Sequence, residues 1–237
     1  RPVASAADEQ KKKELNMRRR LNVSLDPLYR SVLSWTYNRV SDFPDERGRE
    51  IYQPVRDNFD NVKDYQKTFE PLLLLECWQS IVQSRQLTQE KPFELLIGTR
   101  ASVDNFFDVY ASIEKSVLYD RKIGESDLLV LGYVRNDGQK VENMTSRVLE
   151  ETLISCLAKV REIKSANSDY ADITLRVMPN NNPMIPIFSP QTLVTGLKVM
   201  QMVTIEREYS SLFGLQYYDL FSNIIKAKPT FEENEDK

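Results

Sequence analysis

YQKTFEPLLLLECWQSI, residues Tyr65 to Ile81, carries apolar side chains almost all the way round a helix. Leu72 to Leu75 alone sweep about 300° at roughly 100° per residue, so a helix here must be covered on more than one side. It reads as a structural axis. A second long helix is expected in TIEREYSSLFGLQYYDLFSNIIKA, where Tyr209, Leu212, Phe213, Tyr217, Leu220, Phe221 and Ile224 recur at i, i+3, i+4 spacing. Candidate core positions of this helical pair are Phe69, Leu72, Leu73, Trp78, Tyr209, Phe213, Tyr217 and Phe221.

Between the two helices the hydrophobic period shifts toward two, which predicts strands at Phe93 to Thr99, Asn105 to Ile113, Asp127 to Val134, Ser155 to Lys164, Tyr170 to Met178 and Leu193 to Val203. The fourth and fifth make the clearest hairpin, because Ser165 to Asp169 is short, polar and turn-prone. No intervening segment has a helical pattern long enough for a parallel crossover. The expectation is therefore an α+β fold: a small antiparallel six-stranded β-barrel carried on a two-helix stalk. Arg135 to Glu150 reads as a polar excursion with a short helix at Ser146 to Ile154, and Pro179 to Pro190 as an irregular loop.

Upstream, Leu25 to Tyr37 predicts a short helix with Asp26 as N-cap and Pro27 in the first turn, placing Tyr29, Val32, Leu33 and Trp35 on or near one face. A helix this short needs to dock, so Tyr29, Leu33 and Trp35 are expected to anchor it on the stalk, Trp35 most heavily. Ser41 to Pro54 reads as an irregular connector, the long helix as starting near Asn61, and Pro71 as a kink or restart close to Phe69. The expected order is a basic extension (1–20), a brace (21–60), the first stalk helix (61–91), the barrel (92–203), the second stalk helix (204–228) and an acidic tail (229–237).

Composition supports a packed core, with 41% hydrophobic residues in a chain of 237. The net charge of −3 argues against a surface built mainly to neutralise phosphates, though a local basic groove is compatible with it. Lys11, Lys12, Lys13, Arg18, Arg19 and Arg20 crowd the start; KKK-ELNM-RRR is compatible with a nuclear import signal or with a solvated helix face. Cys77 and Cys156 both sit in apolar runs, which predicts buried thiols in a reducing compartment. No run is long enough to span a bilayer, so the chain is expected to be soluble and intracellular.

The sequence has no histidine, which removes Ser-His and Cys-His nucleophile activation and histidine metal sites. It has no Gly-Lys pair and no clustered glycines, so neither phosphate-cradling motif is encoded, and catalysis is not expected. One positive signal remains. In the predicted hairpin Lys159 and Arg161 share a strand face with Arg176 opposite, a candidate track for a nucleic-acid backbone whose alternative is an ordinary solvated face.

Five stretches carry a family resemblance: RRLNVSLDPLYRSVLSWTYN, NVKDYQKTFEPLLLLECWQSI, FFDVYASIEKS, GESDLLVLGYV and KVMQMVTIEREYSSLFGLQYYDLF. In order and over nearly the whole chain, from about Arg18 to Pro229, they resemble the brace, stalk and barrel of senataxin-type superfamily 1B helicases, most nearly the fungal nuclear members. The resemblance implies a region that precedes the RecA-like motor domains and itself holds no cofactor, ATP and Mg²⁺ belonging to the parent. It further implies a nuclear parent that moves 5′ to 3′ on single-stranded RNA or DNA, unwinds RNA:DNA hybrids (R-loops), and acts in transcription termination on the RNA polymerase II machinery. In such helicases the barrel covers the nucleic-acid path. The competing expectation is a protein-docking surface or a purely structural brace. No catalytic residue carries over, because none of the family's ATPase motifs is present.

Overall fold

Alternating apolar residues build six strands: β1 Phe93–Val103, β2 Phe106–Glu114, β3 Asp127–Gly132, β4 Ser155–Ser165, β5 Tyr170–Val177 and β6 Leu193–Gln201. The computed structural model describes residues 5–87, 91–133 and 154–226. All six strands pair antiparallel in the ring β1-β2-β5-β4-β3-β6, which closes where β6 pairs with β1. The polar excursion over 135–150, the short helix expected over 146–154 (Ile154 apart) and the acidic tail lie outside the described residues. Among the described residues, no helix is long and apolar enough to cross a membrane.

The barrel interior is filled by one face of each strand, including Leu95, Ile97, Val109, Ile113, Leu129, Leu131, Val160, Ile173 and Leu175. Met184 and Phe188, from the loop before β6, complete it. Gly196 is required here, because a Cβ on it would lie 2.6 Å from the Phe93 ring.

Strand β3 is buried at every position, which alternation alone does not explain. Its outward residues Leu128 and Val130, with Phe106, Leu157, Leu197 and Val199, face a second core. Helix α3 (Val62–Leu87) and helix α5 (Val203–Gly214) complete that core with Leu73, Cys77, Trp78, Ile81, Ile205 and Tyr209. Helix α2 (Asp26–Val32) adds Leu28, Tyr29 and Val32, and the turns after it add Leu33 and Tyr37. A strand covered on both faces loses its polar alternation for the same reason a central parallel strand does.

Several local expectations are corrected. The second stalk helix is not continuous over 204–228: α5 ends at Gly214, a 3-10 turn follows at Leu215–Tyr217, and α6 covers Phe221–Ile225. The break turns Leu215, Phe221 and Ile225 toward Phe59, Tyr65 and Phe69 in a third, smaller cluster, tied by the Phe59 N–H donating to the Ile225 carbonyl at 2.8 Å. Periodicity stays helical across it because each piece is helical, which hid the break; Leu220 and Ile224 are exposed.

Helix α3 runs through Pro71 without a restart, and the carbonyl that loses its partner belongs to exposed Lys67, where water can satisfy it. Asp26 is the first residue of α2 and makes no cap; Leu25 occupies the cap position. The basic start of the chain is itself a helix, α1 (Ala6–Leu21), begun by a capping box between Ser5 and Asp8. Helix α4 (Lys115–Asp120), between β2 and β3, had no signal in the pattern.

Candidate functional site

The three cations singled out on the hairpin do come together, at the seam where the barrel meets the brace and stalk. Lys159 on β4 and Arg176 on β5 are directly paired across the strands, and Arg161 occupies the β4 bulge between Val160 and Glu162. Like charges opposite one another are unfavourable unless counter-charges intervene. Here they do.

Asp108 on β2, paired in register with Arg176, is 2% exposed. It accepts from Arg176 Nε at 3.0 Å and from Arg161 Nη1 at 2.5 Å. Arg176 also lies over the Phe106 ring at 4.7 Å and within 3.9 Å of Asp26 at the start of α2. Lys159 lies 3.5 Å from Glu206 of α5 and 4.7 Å over the ring of Tyr29, whose hydroxyl donates to the same Glu206. Burial, reinforced by the hydrogen bond to Glu206, raises the Tyr29 pKa far above the ordinary phenol range, so the hydroxyl stays a donor. Two adjoining clusters thus tie β2, β4 and β5 to α2, and β4 to α2 and α5.

An exposed cationic track is therefore not what these residues form. Arg176 is buried, the Lys159 side chain is 19% exposed, and only Arg161 keeps substantial contact with solvent, at 40%. The sequence reading missed the counter-ions Asp108, Glu206 and Asp26. In FFDVYASI, Asp108 shares a strand face with Phe106, opposite Val109, Ala111 and Ile113, so its outward direction was legible; which cations it met depended on a register no local pattern encodes.

Of the brace residues, Tyr29 and Leu33 are buried. Trp35 is only partly buried and meets fully buried Trp78 edge-on at 5.6 Å between centroids. Trp35 is thus not the dominant anchor, because the chain has left the helix after Val32 and Tyr37, 1% exposed, turns inward instead. Directional bonds fix this segment: Trp78 Nε1 donates to the Ser41 carbonyl at 2.9 Å, and Arg85 donates to the Tyr37 and Arg39 carbonyls at 2.7 and 3.1 Å. Ser84 Oγ donates to the Val199 carbonyl at 2.7 Å, tying α3 to β6.

In the stalk, Leu73 and Tyr209 are buried, Phe213 packs on the second core, and Phe69 and Phe221 on the third cluster. Leu72 lines an apolar groove between α3 and α5 with Phe69, Leu212, Leu215 and Ile224. Tyr217, expected in the stalk core, instead carries the Arg19 guanidinium of α1 over its ring at 5.7 Å. No cluster of metal-ligating side chains occurs among the described residues.

A closed six-stranded antiparallel barrel, fused along its outer face to a helical stalk and brace, defines a barrel-on-stalk module. Residues 88–199 match the family model described as the Helicase SEN1 beta-barrel domain. Over 232 residues, 98% of the chain, it is 42% identical to Helicase SEN1 of Saccharomyces cerevisiae. Over 214 residues, 90% of the chain, it is 24% identical to Helicase sen1 of Schizosaccharomyces pombe. The chain therefore carries the barrel domain of the Sen1 helicase family. It spans 10% and 12% of the length of these two relatives.

Proposed function

We propose that this chain is the non-catalytic arm of an ATP-dependent 5′-to-3′ RNA/DNA helicase, holding its barrel at a fixed angle over the single-stranded nucleic-acid path. The observation that carries the proposal is the second core, in which barrel, brace and stalk share one continuous apolar interior. A barrel so joined moves as a unit when the stalk moves, which suits it to pressing on or releasing a bound strand. In this reading ATP and Mg²⁺ are handled by the RecA-like motor domains of the parent. The parent works in the nucleus, in transcription termination and R-loop resolution, and meets the RNA polymerase II machinery there. The chain alone does not turn over ATP.

The groove lined by Phe69, Leu72, Leu212, Leu215 and Ile224 supports a second role, docking of the motor domains along the stalk. The two roles are compatible, since an arm needs a mount.

The test loosens the joint without touching a motor. In the helicase carrying this chain, Leu28→Ala with Val32→Ala removes two fully buried brace contacts. Unwinding of an RNA:DNA hybrid with a 5′ single-stranded tail is expected to fall more than nucleic-acid-stimulated ATP hydrolysis. Equal loss of both, or loss of neither, contradicts the arm.

A further inference from the structure

The cations of the barrel seam are paired internally, whereas Lys11, Lys12, Lys13 and Arg18 of α1 are not. Helix α1 carries six Lys and Arg against three Asp and Glu, in a chain whose net charge is −3. None of its residues is buried, and among the described residues none of Lys11, Lys12, Lys13 or Arg18 has an ion-pair partner. Asp8, one of the three acids, is occupied by the capping box.

The helix is also held in one orientation. Arg20 lies 4.3 Å over the Tyr218 ring and Arg19 5.7 Å over Tyr217, and the Arg20 stem passes 3.7 Å from where a Cβ on Gly214 would stand. Met17 and Arg20 meet Ser210, Ser211 and Tyr218 at a small cavity. With that side against the stalk, and at roughly 100° per residue, Lys11, Lys12, Leu15 and Arg18 fall within an outward arc of about 120°, with Arg19 at its edge reaching back over Tyr217. Lys11 and Lys12 thus stand about two turns, about 10 Å, from Arg18 on a capped helix.

We infer that this outward face of α1 binds the phosphate backbone of single-stranded nucleic acid, without base readout. A linear polyanion with repeating charge needs only cations of fixed spacing and long reach, which is what the face offers. A membrane surface would need a continuous apolar stripe beside the basic one, whereas Leu15 lies on the opposite side of the helix from Met17 and Leu21. An acidic peptide would need a groove for its side chains, and the outward arc has none. Because α1 packs at the Gly214 end of α5, about 18 Å along that helix from its start beside β6, this contact lies at the far end of the stalk and not on the barrel.

The test uses the whole chain and a fluorescent 20-nucleotide oligouridylate, followed by anisotropy as salt is varied. Lys11→Ala, Lys12→Ala and Arg18→Ala together preserve helix propensity and leave the cap and stalk contacts in place. The combined variant is expected to bind about tenfold more weakly at low salt, with a log-log salt slope shallower by about 2, near 0.7 for each lost contact. Unchanged affinity and slope overturn the inference, as does no binding by the unaltered chain. Displacement by polyglutamate as effective as by unlabelled oligouridylate, at matched charge, assigns the face to acidic proteins and overturns it too. The outcome is independent of the arm: a helicase whose unwinding depends on the Leu28 and Val32 contacts keeps that role even if α1 binds nothing.

Discussion

The barrel interior and the core beneath it solve different problems with different residues. The interior is almost wholly aliphatic, with Leu95, Ile97, Ile113, Leu129, Ile173 and Leu175, and needs no direction beyond the closure of its hydrogen-bond ring. The junction uses Tyr29, Tyr37, Trp78 and Tyr209, and it is framed by the Asp108 network and by side-chain bonds to the Ser41, Tyr37 and Val199 carbonyls. Apolar burial is non-directional, so a barrel resting on helices through aliphatic contacts alone could rock. Rings with polar tips and buried ion pairs fix one angle. The comparison teaches that the interior makes the barrel, and the junction makes it an arm.

That contrast can be broken most forcefully at Trp78, which is fully buried. Trp78→Ala is expected to cost about 3–5 kcal/mol in urea unfolding and to leave the Ser41 carbonyl without its donor. Asp108→Ala comes next. It strands buried Arg176 without its main counter-charge, for a loss of about 2–4 kcal/mol, and Lys159→Ala, which keeps Asp108 paired, is expected to cost less. Trp35→Ala, at a half-buried ring, is expected to cost about 1–2 kcal/mol, clearly less than Trp78→Ala; the reverse order would make the brace edge the true anchor.

Alkali sharpens the comparison. Burial is the leading cause that raises the pKa of Tyr29, of Tyr209, and of the Cys77 thiol, the last to about 12, all in the junction. In the interior the Cys156 thiol is likewise raised to about 12. The folded state keeps protons that the unfolded chain releases above about pH 9–10, so this stability is intact below that range and falls as pH rises through it. Tyr29→Phe is expected to flatten the fall between pH 9 and pH 11, measured as urea midpoints, and to cost about 1 kcal/mol at pH 7 through the lost bond to Glu206. The smallest effect belongs to Lys11→Ala, Lys12→Ala and Lys13→Ala, exposed on α1, which should leave stability within about 0.5 kcal/mol.

Much of the fold was legible because strand alternation and helix periodicity are local. The six strands fall close to where period two placed them; β1 runs on to Val103, and β6 stops at Gln201 because Val203 already belongs to α5. LLLLECW announced a helix covered on several sides, and α3 does meet α2, α5 and β6, with Leu72 left lining the groove. What local patterns cannot carry is register and counter-charge. Lys159, Arg161 and Arg176 were visible as a cluster, but Asp108 reaches them from a strand more than fifty positions away. Gly214 was visible as a glycine, but the packing of Arg20 and Val23 beside it, and the Phe59 N–H bonded to the Ile225 carbonyl beyond it, are long-range contacts that leave no local mark.

The central claim is that barrel, brace and stalk are one body, and the two tryptophans allow it to be tested. Trp35 and Trp78 both lie in the brace and stalk and none lies in the barrel, so tryptophan emission reports the junction while amide exchange in β1 to β6 reports the ring. Followed together through a urea titration, the two probes are predicted to give the same midpoint, as a single cooperative unit requires. A junction midpoint well below that of the strand amides would mean that the barrel is a separate body on a loose mount, and would contradict the account.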